Sequence, residues 1–203
     1  LYGLFMADAR SAHEGRSAYS KPGGGTRIGE KLASVGLNIY TDSSYKGLEC
    51  TPYIQTPASS SHSSVFDNGQ PTGRVQWMQD GVLTGLIQTR ESSALTGQPF
   101  TPIGENFIVD AKEGSGTSQD LLKNTSDGLL LNTFWYIRLV NPASLLLTGL
   151  TRDGVYQVKN GEVVAAVNNF RWNESPIEIM SRILQIGKTE VMQNREWNDF
   201  VYR

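Results

Sequence analysis

A β-rich α+β fold, built of antiparallel sheets with a few packed helices and with barrel closure left open, is what this sequence predicts. Three observations carry the prediction. Turn-forming Gly, Pro, Asn and Asp recur at short intervals, and the segments between them are rich in Val, Ile, Leu and aromatics. Two of the turns, Asp80-Gly81 and Asn160-Gly161, sit between paired strand-like arms, and both dipeptides tolerate the positive φ angles of a type I′ hairpin turn. Near the end of the chain, Ser175-Pro176-Ile177-Glu178 has the order of a helix start: a hydroxyl before the first turn, proline where no amide is needed, and a carboxylate able to reach back.

Taken in order, Leu1, Leu4 and Phe5 fall at helical spacing, which suggests a chain that starts inside an element, as the C-terminal half of a longer protein would. Lys21-Pro22 and Gly23 to Gly25 then make a turn. A phosphate loop needs a strand before it, a helix after it and a Lys-Ser/Thr pair, and the GGGTRIGEK stretch has none of these in order. Strands are expected at Val35 to Thr41 and Asn106 to Val109, with a polar loop, Thr56 to Ser64, between them. The first hairpin is expected over Arg74 to Thr89 and the second over Gly154 to Val167. Val75, Met78, Gly81 and Leu83 of the first align with Val155, Val158, Gly161 and Val163 of the second, a likeness that one shared turn type explains. Thr117-Ser118-Gln119-Asp120 caps a short helix through Lys123, and Leu129 to Val140 leads through Asn141-Pro142 into a strand at Ser144 to Leu150. In the last helix, Ile177, Met180, Ile183 and Leu184 form an apolar stripe against a sheet and Gly187 ends it.

The 203 residues fit a single domain with a sizeable core. With 18 basic and 20 acidic side chains the net charge is −2, a poor footprint for nucleic acid. One cysteine, Cys50, cannot form an internal disulfide, which fits a reducing, cytoplasmic setting. No apolar run reaches the length of a membrane span and no signal peptide is recognisable.

Single chemical motifs are weak. His13-Glu14 invites a zinc-helix reading, yet Ser17 and Ala18 stand where a second histidine is needed, and the other histidine, His62, lies in the serine loop. Ser115 lies in Glu113-Gly114-Ser115-Gly116, where Glu113 breaks the nucleophile-elbow pattern. Cys50 has no basic neighbour nearer in sequence than Lys46, so an inert thiol is expected. The group that merits a binding role is Tyr136, Arg138, Arg152 and Asp153, beside Trp135. Strand alternation puts Trp135 and Ile137 on one face, Tyr136 and Arg138 on the other. One face is then core, and a sheet edge here suits an extended peptide, whose backbone pairs while alternate side chains find pockets. A half-buried strand at a subunit contact is the competing reading.

A wider pattern runs through the chain: Glu14-Gly15-Arg16-Ser17 followed by Gly29-Glu30; the block from Phe66 to Gly97 with Ser93-Ala94; Glu105 to Val109; GSGTSQDLL from Gly114; and the stretch Gly128 to Ile183. In this order the segments resemble the C-terminal domain of the TldD/PmbA family, bacterial metallopeptidase-related proteins once described as modulators of DNA gyrase. The resemblance implies a parent about twice this length. It also implies that active TldD-like subunits carry an H-E-x-x-x-H helix in the other half and a zinc-binding Cys near the C-terminus. Arg182 to Arg203 contains no cysteine, so the chain is more similar to the PmbA/TldE branch, which lacks zinc ligands.

The resemblance therefore implies no catalytic, metal or cofactor residue in this chain, with zinc in a partner subunit or in the missing half. It implies a homodimer or a TldD-like partner subunit, a peptide substrate, and neither nucleic acid nor membrane as partner. The function expected is support of proteolysis or maturation of unfolded or leader peptides, through dimerisation and groove formation. A non-enzymatic binding or scaffolding module is the alternative, and a self-sufficient hydrolase ranks last.

Overall fold

The computed structural model describes residues 9–192; the helical spacing at Leu1, Leu4 and Phe5 lies outside them. Both glycine turns form as their residues dictate. Asp80 and Gly81 take φ of 49° and 80°, Asn160 and Gly161 φ of 49° and 82°. Met78 pairs with Leu83 and Gln79 with Val82 across the first turn; Val158 pairs with Val163 and Lys159 with Glu162 across the second. The likeness of the two hairpins thus extends to their register.

Strands β1 (Leu37–Asp42), β2 (Arg74–Gln79), β3 (Val82–Leu83) and β4 (Ile108–Ala111) make an antiparallel sheet in the order β3-β2-β1-β4. The expected second hairpin arm, running to Thr89, is cut to two residues. The amides of Thr84 and Gly85 both turn back onto the Trp77 carbonyl, at 2.9 and 3.3 Å, and end the ladder.

The second sheet has β6 (Leu146–Lys159) at its centre, β5 (Asp127–Asn141) along one side, and β7 (Glu162–Val167) and β8 (Arg171–Glu174) in succession along the other. The sequence separates Ser144 to Leu150 from the Gly154 arm; the structure joins them into one strand of 14 residues. Asp153 and Gly154, at φ of 60° and 112°, absorb the irregularity inside a continuing strand. Both sheets are open ladders.

Among the described residues the helices are α1 (Ala9–His13), α2 (Arg90–Thr96), α3 (Ser118–Lys123) and α4 (Pro176–Ser181). Helix α2 is not foreseen from the sequence, although Thr89 and Ser92 cap it reciprocally at 3.1 and 3.0 Å and Gly97, at φ 67°, closes it. Helix α3 starts as expected, with Thr117 and Asp120 forming its capping box.

Helix α4 departs from expectation at both ends. The Ser175 hydroxyl donates to the Ser144 carbonyl at 2.9 Å instead of capping. Gly187 is not its stop: the Ser34 amide donates to the Met180 carbonyl of the last turn at 3.0 Å, and the Ser34 hydroxyl to the Ile183 carbonyl just beyond it at 2.7 Å. Leu184, placed in the apolar stripe by periodicity, is 93% exposed.

One core joins the two sheets. Leu37, Ile39, Trp77, Met78 and Leu83 of the first sheet pack in the same cluster as Leu147 of the second and Leu145 of the turn before it, with Ile177 and Met180 of α4. The edges of the first sheet are covered. Gly29 donates to the Leu83 carbonyl and Leu83 to the Glu30 carbonyl, at 2.8 and 2.9 Å, along β3; the Thr189 hydroxyl donates to the Val109 carbonyl at 2.9 Å along β4. Among the described residues, β5 and β7 of the second sheet pair only with β6. Such an open edge is a template for pairing with another chain.

Tyr40, buried on β1, donates to Asp110 Oδ2 at 3.0 Å. Burial first, and the Asp110 carboxylate second, push its hydroxyl up to about 12. A raised acid favours the folded state while protonated, so this stabilisation is intact below the ordinary tyrosine value near 10 and drains away as pH rises towards about 12. An ultraviolet titration of the tyrosinates should show a late-ionising class that Tyr40→Phe diminishes. Ionisation of every tyrosine together near pH ~10 in folded protein would contradict the assignment.

Candidate functional site

The four residues singled out by sequence, Tyr136, Arg138, Arg152 and Asp153, come together halfway along the β5–β6 ladder. Two irregularities put them there. Trp135 pairs with Leu150 and Arg138 with Thr148, so Tyr136 and Ile137 together oppose Gly149. Lower down, Leu131 pairs with Val155 and Thr133 with Arg152, so Asp153 and Gly154 together oppose Asn132. Each bulge holds a non-glycine residue in the left-handed region, Tyr136 at φ 52° and Asp153 at φ 60°. Such backbone costs on the order of 1–3 kcal/mol and persists where surrounding pairing over-determines it.

The upper bulge changes which side chains share a face. Strict alternation separates Trp135 from Arg138, but directly opposed residues project to one side of a ladder. Leu150 and Thr148 are two apart on β6, so their partners Trp135 and Arg138 lie on the same face. Ile137 instead packs against the core cluster. The expected opposition of Trp135 and Arg138 is therefore corrected by one extra residue.

The side chains form a stacked row. The Arg152 guanidinium lies over the Trp135 ring at 4.3 Å, Trp135 meets Tyr136 edge-on at 6.2 Å, and the Arg138 guanidinium lies over Tyr136 at 5.3 Å. Asp153 sits 3.6 Å from Arg152, and its carbonyl accepts from Asn132 Nδ2 at 2.9 Å. Tyr136 is 57% exposed, and both arginines are exposed.

Arg171 belongs to the same face and was missed. It pairs with Leu150 across β6, and its Nη1 donates to Thr148 Oγ1 at 3.3 Å. Nothing in the sequence marks this, because the pairing of β8 with β6 joins segments on either side of the second hairpin. On the opposite face the Trp172 indole covers Gly149, where a Cβ would stand 2.5 Å from Trp172 Cζ2, and it meets Phe134 edge-on at 5.1 Å.

The remaining candidates stay apart. His13 is exposed, and its neighbour Glu14 is held by Arg16 and Arg10, whose hydrogen bonds lower its pKa. His62 contacts Ser61 Oγ at 3.4 Å within the serine loop. Burial raises the Cys50 thiol. Ser115 is exposed on the loop leading into α3. Among the described residues, no three of His, Cys, Asp and Glu gather where a metal ion could be held.

The sequence matches the PmbA/TldA metallopeptidase C-terminal domain over residues 2–197. The chain belongs to this family. Solved structures agree on the PmbA/TldA-type fold. A protein described as a modulator of DNA gyrase from Thermotoga maritima aligns at TM-score 0.69 and 20% identity over 93% of this chain. One so described from Bacteroides thetaiotaomicron aligns at TM-score 0.68 and 15% identity over 89%. TldE from Thermococcus kodakarensis aligns at 0.65 and 17% over 92%. The chain spans only 42%, 37% and 42% of those three chains, respectively. No curated protein matches the sequence. Among the described residues, no helix is long and apolar enough to cross a membrane.

Proposed function

We propose that this chain is the part of a TldD/PmbA-type, metallopeptidase-related protein that receives an extended peptide and joins a partner subunit, supporting proteolysis or maturation of unfolded or leader peptides in the cytoplasm. The observation that carries the reading is the outer edge of β5, which among the described residues pairs only with β6 and carries exposed Phe134, Tyr136, Leu139 and Val140. An extended peptide adds to such an edge through its backbone, and alternate side chains supply selectivity. Zinc, in this reading, comes from a TldD-like partner subunit or from another part of the polypeptide. A homodimer is the other assembly consistent with the family.

The test is zinc content and peptide cleavage for the full-length protein, purified alone and with a relative that carries His-Glu-x-x-x-His. Zinc and cleavage confined to the co-purified complex are expected. Tyr136→Ala should then lower kcat/KM for an unfolded peptide by about tenfold, with zinc content unchanged. Stoichiometric zinc and full cleavage by the protein alone would sink the supporting role. A complex that binds peptide without cleaving it would favour the scaffolding alternative.

A further inference from the structure

The row over β5 and β6 gathers charge mainly of one sign. The chain as a whole carries a net charge of −2, yet one face of this ladder gathers Arg138, Arg152 and Arg171 around Trp135, with Asp153 as the carboxylate beside Arg152. The way two of the arginines are held matters more than their number. Arg152 sits over the Trp135 ring and Arg138 over the Tyr136 ring, with Arg138 Nη1 also donating to the Ile137 carbonyl at 2.8 Å; a guanidinium held by its face carries its N–H groups along its edge. That edge is the fork that takes a carboxylate with two parallel bonds.

The Arg152 guanidinium takes up one face of the Trp135 ring and removes that face as a stacking platform for a nucleobase. The backbone is set to match. The bulge at Tyr136 brings Arg138 to the face that holds Trp135, and the bulge at Asp153 lies directly beside Arg152. A peptide strand laid along β5 projects every second side chain over this face, because side chains alternate along a strand.

From this charge complementarity we infer that the Trp135 face of the β5–β6 ladder selects acidic peptides, pairing glutamate or aspartate side chains of an extended segment with Arg138 and Arg152, while Arg171 adds to the local positive field. The inference rests on the strand-addition reading above and specifies the chemistry of its ligand.

The experiment measures binding of labelled synthetic peptides to the full-length protein at low salt. The probes are a peptide of about ten residues with Glu at alternate positions, its Gln counterpart, and a backbone N-methylated form of each. The Glu peptide is expected to bind about tenfold more tightly than the Gln peptide. The R138Q/R152Q variant, with its thermal unfolding checked against the parent, should erase that ratio by weakening the Glu peptide alone. Equal affinity for the two peptides, lost on N-methylation, would overturn acid selectivity and leave strand addition standing. Failure of both peptides to bind would overturn strand addition and this inference with it. Tighter binding of a single-stranded oligonucleotide at the same arginines would overturn it in favour of nucleic acid.

Discussion

Gly149→Ala is expected to destabilise the fold by about 3 kcal/mol, the upper end of the range for overpacking a filled interior. Gly149 takes no unusual backbone angle, so the effect is steric. An added Cβ would stand 2.5 and 2.7 Å from two atoms of the Trp172 ring and 2.9 Å from the Trp135 carbonyl. Neither can yield easily. The ring is braced edge-on by Phe134 at 5.1 Å, and the carbonyl belongs to the bulge that places Tyr136 and Arg138. For a chain of this size the loss corresponds to roughly 6–12 °C in Tm. Trp172→Phe, which removes the overlapping atoms together with an indole N–H that has no partner, should recover part of the loss when combined with Gly149→Ala. A double-mutant cycle reads this coupling directly. Additive effects of the two substitutions would show that the ring is not what excludes a methyl group at this position.

The same glycine shows where sequence reading stops. Turns were legible because their chemistry is local: Asp80-Gly81 and Asn160-Gly161 require positive φ, and both have it. The capping box of α3 was legible for the same reason. Strand lengths were not, since they depend on partners. β3 stops at Leu83 because two amides return to the Trp77 carbonyl, and β6 runs through Gly154 because β5 continues beside it. Helix α2 was hidden by an unremarkable serine, Ser92, standing where a capping box usually has Glu or Gln.

For the candidate site, composition was enough to single out Tyr136, Arg138, Arg152 and Asp153, because exposed aromatics interleaved with arginines stand out in a strand. Their facing was not legible. A bulge inserts one residue and inverts the alternation beyond it, and nothing in Trp135-Tyr136-Ile137-Arg138 announces an insertion. Arg171 was out of reach for another reason. Its place beside Leu150 is a property of the β6–β8 pairing, which only the closed fold supplies. The family resemblance covered the same segments and could not supply these contacts either.

Arg90→Ala is the other substitution expected to be severe, at about 3 kcal/mol, and more costly than Asp67→Asn, at about 1–2 kcal/mol. The asymmetry follows from burial. Asp67 is 2% exposed and accepts from Arg90 Nε at 2.7 Å and from the Arg90 amide at 3.1 Å. Truncating Arg90 removes the guanidinium but leaves the carboxylate buried, with a backbone amide as its remaining donor from that residue. Asn at position 67 keeps an acceptor and gives up the charge, while the Arg90 side chain, 52% exposed, can turn to water. Arg90 also donates to the Phe66 carbonyl, so its loss frees both residues of the turn before β2 from the start of α2. Urea unfolding midpoints for the two variants and the double mutant supply the test. If Asp67→Asn proves as costly as Arg90→Ala, the pair acts through its charge and not through an orphaned carboxylate, because the two substitutions remove the same ion pair and only one of them leaves a buried charge behind.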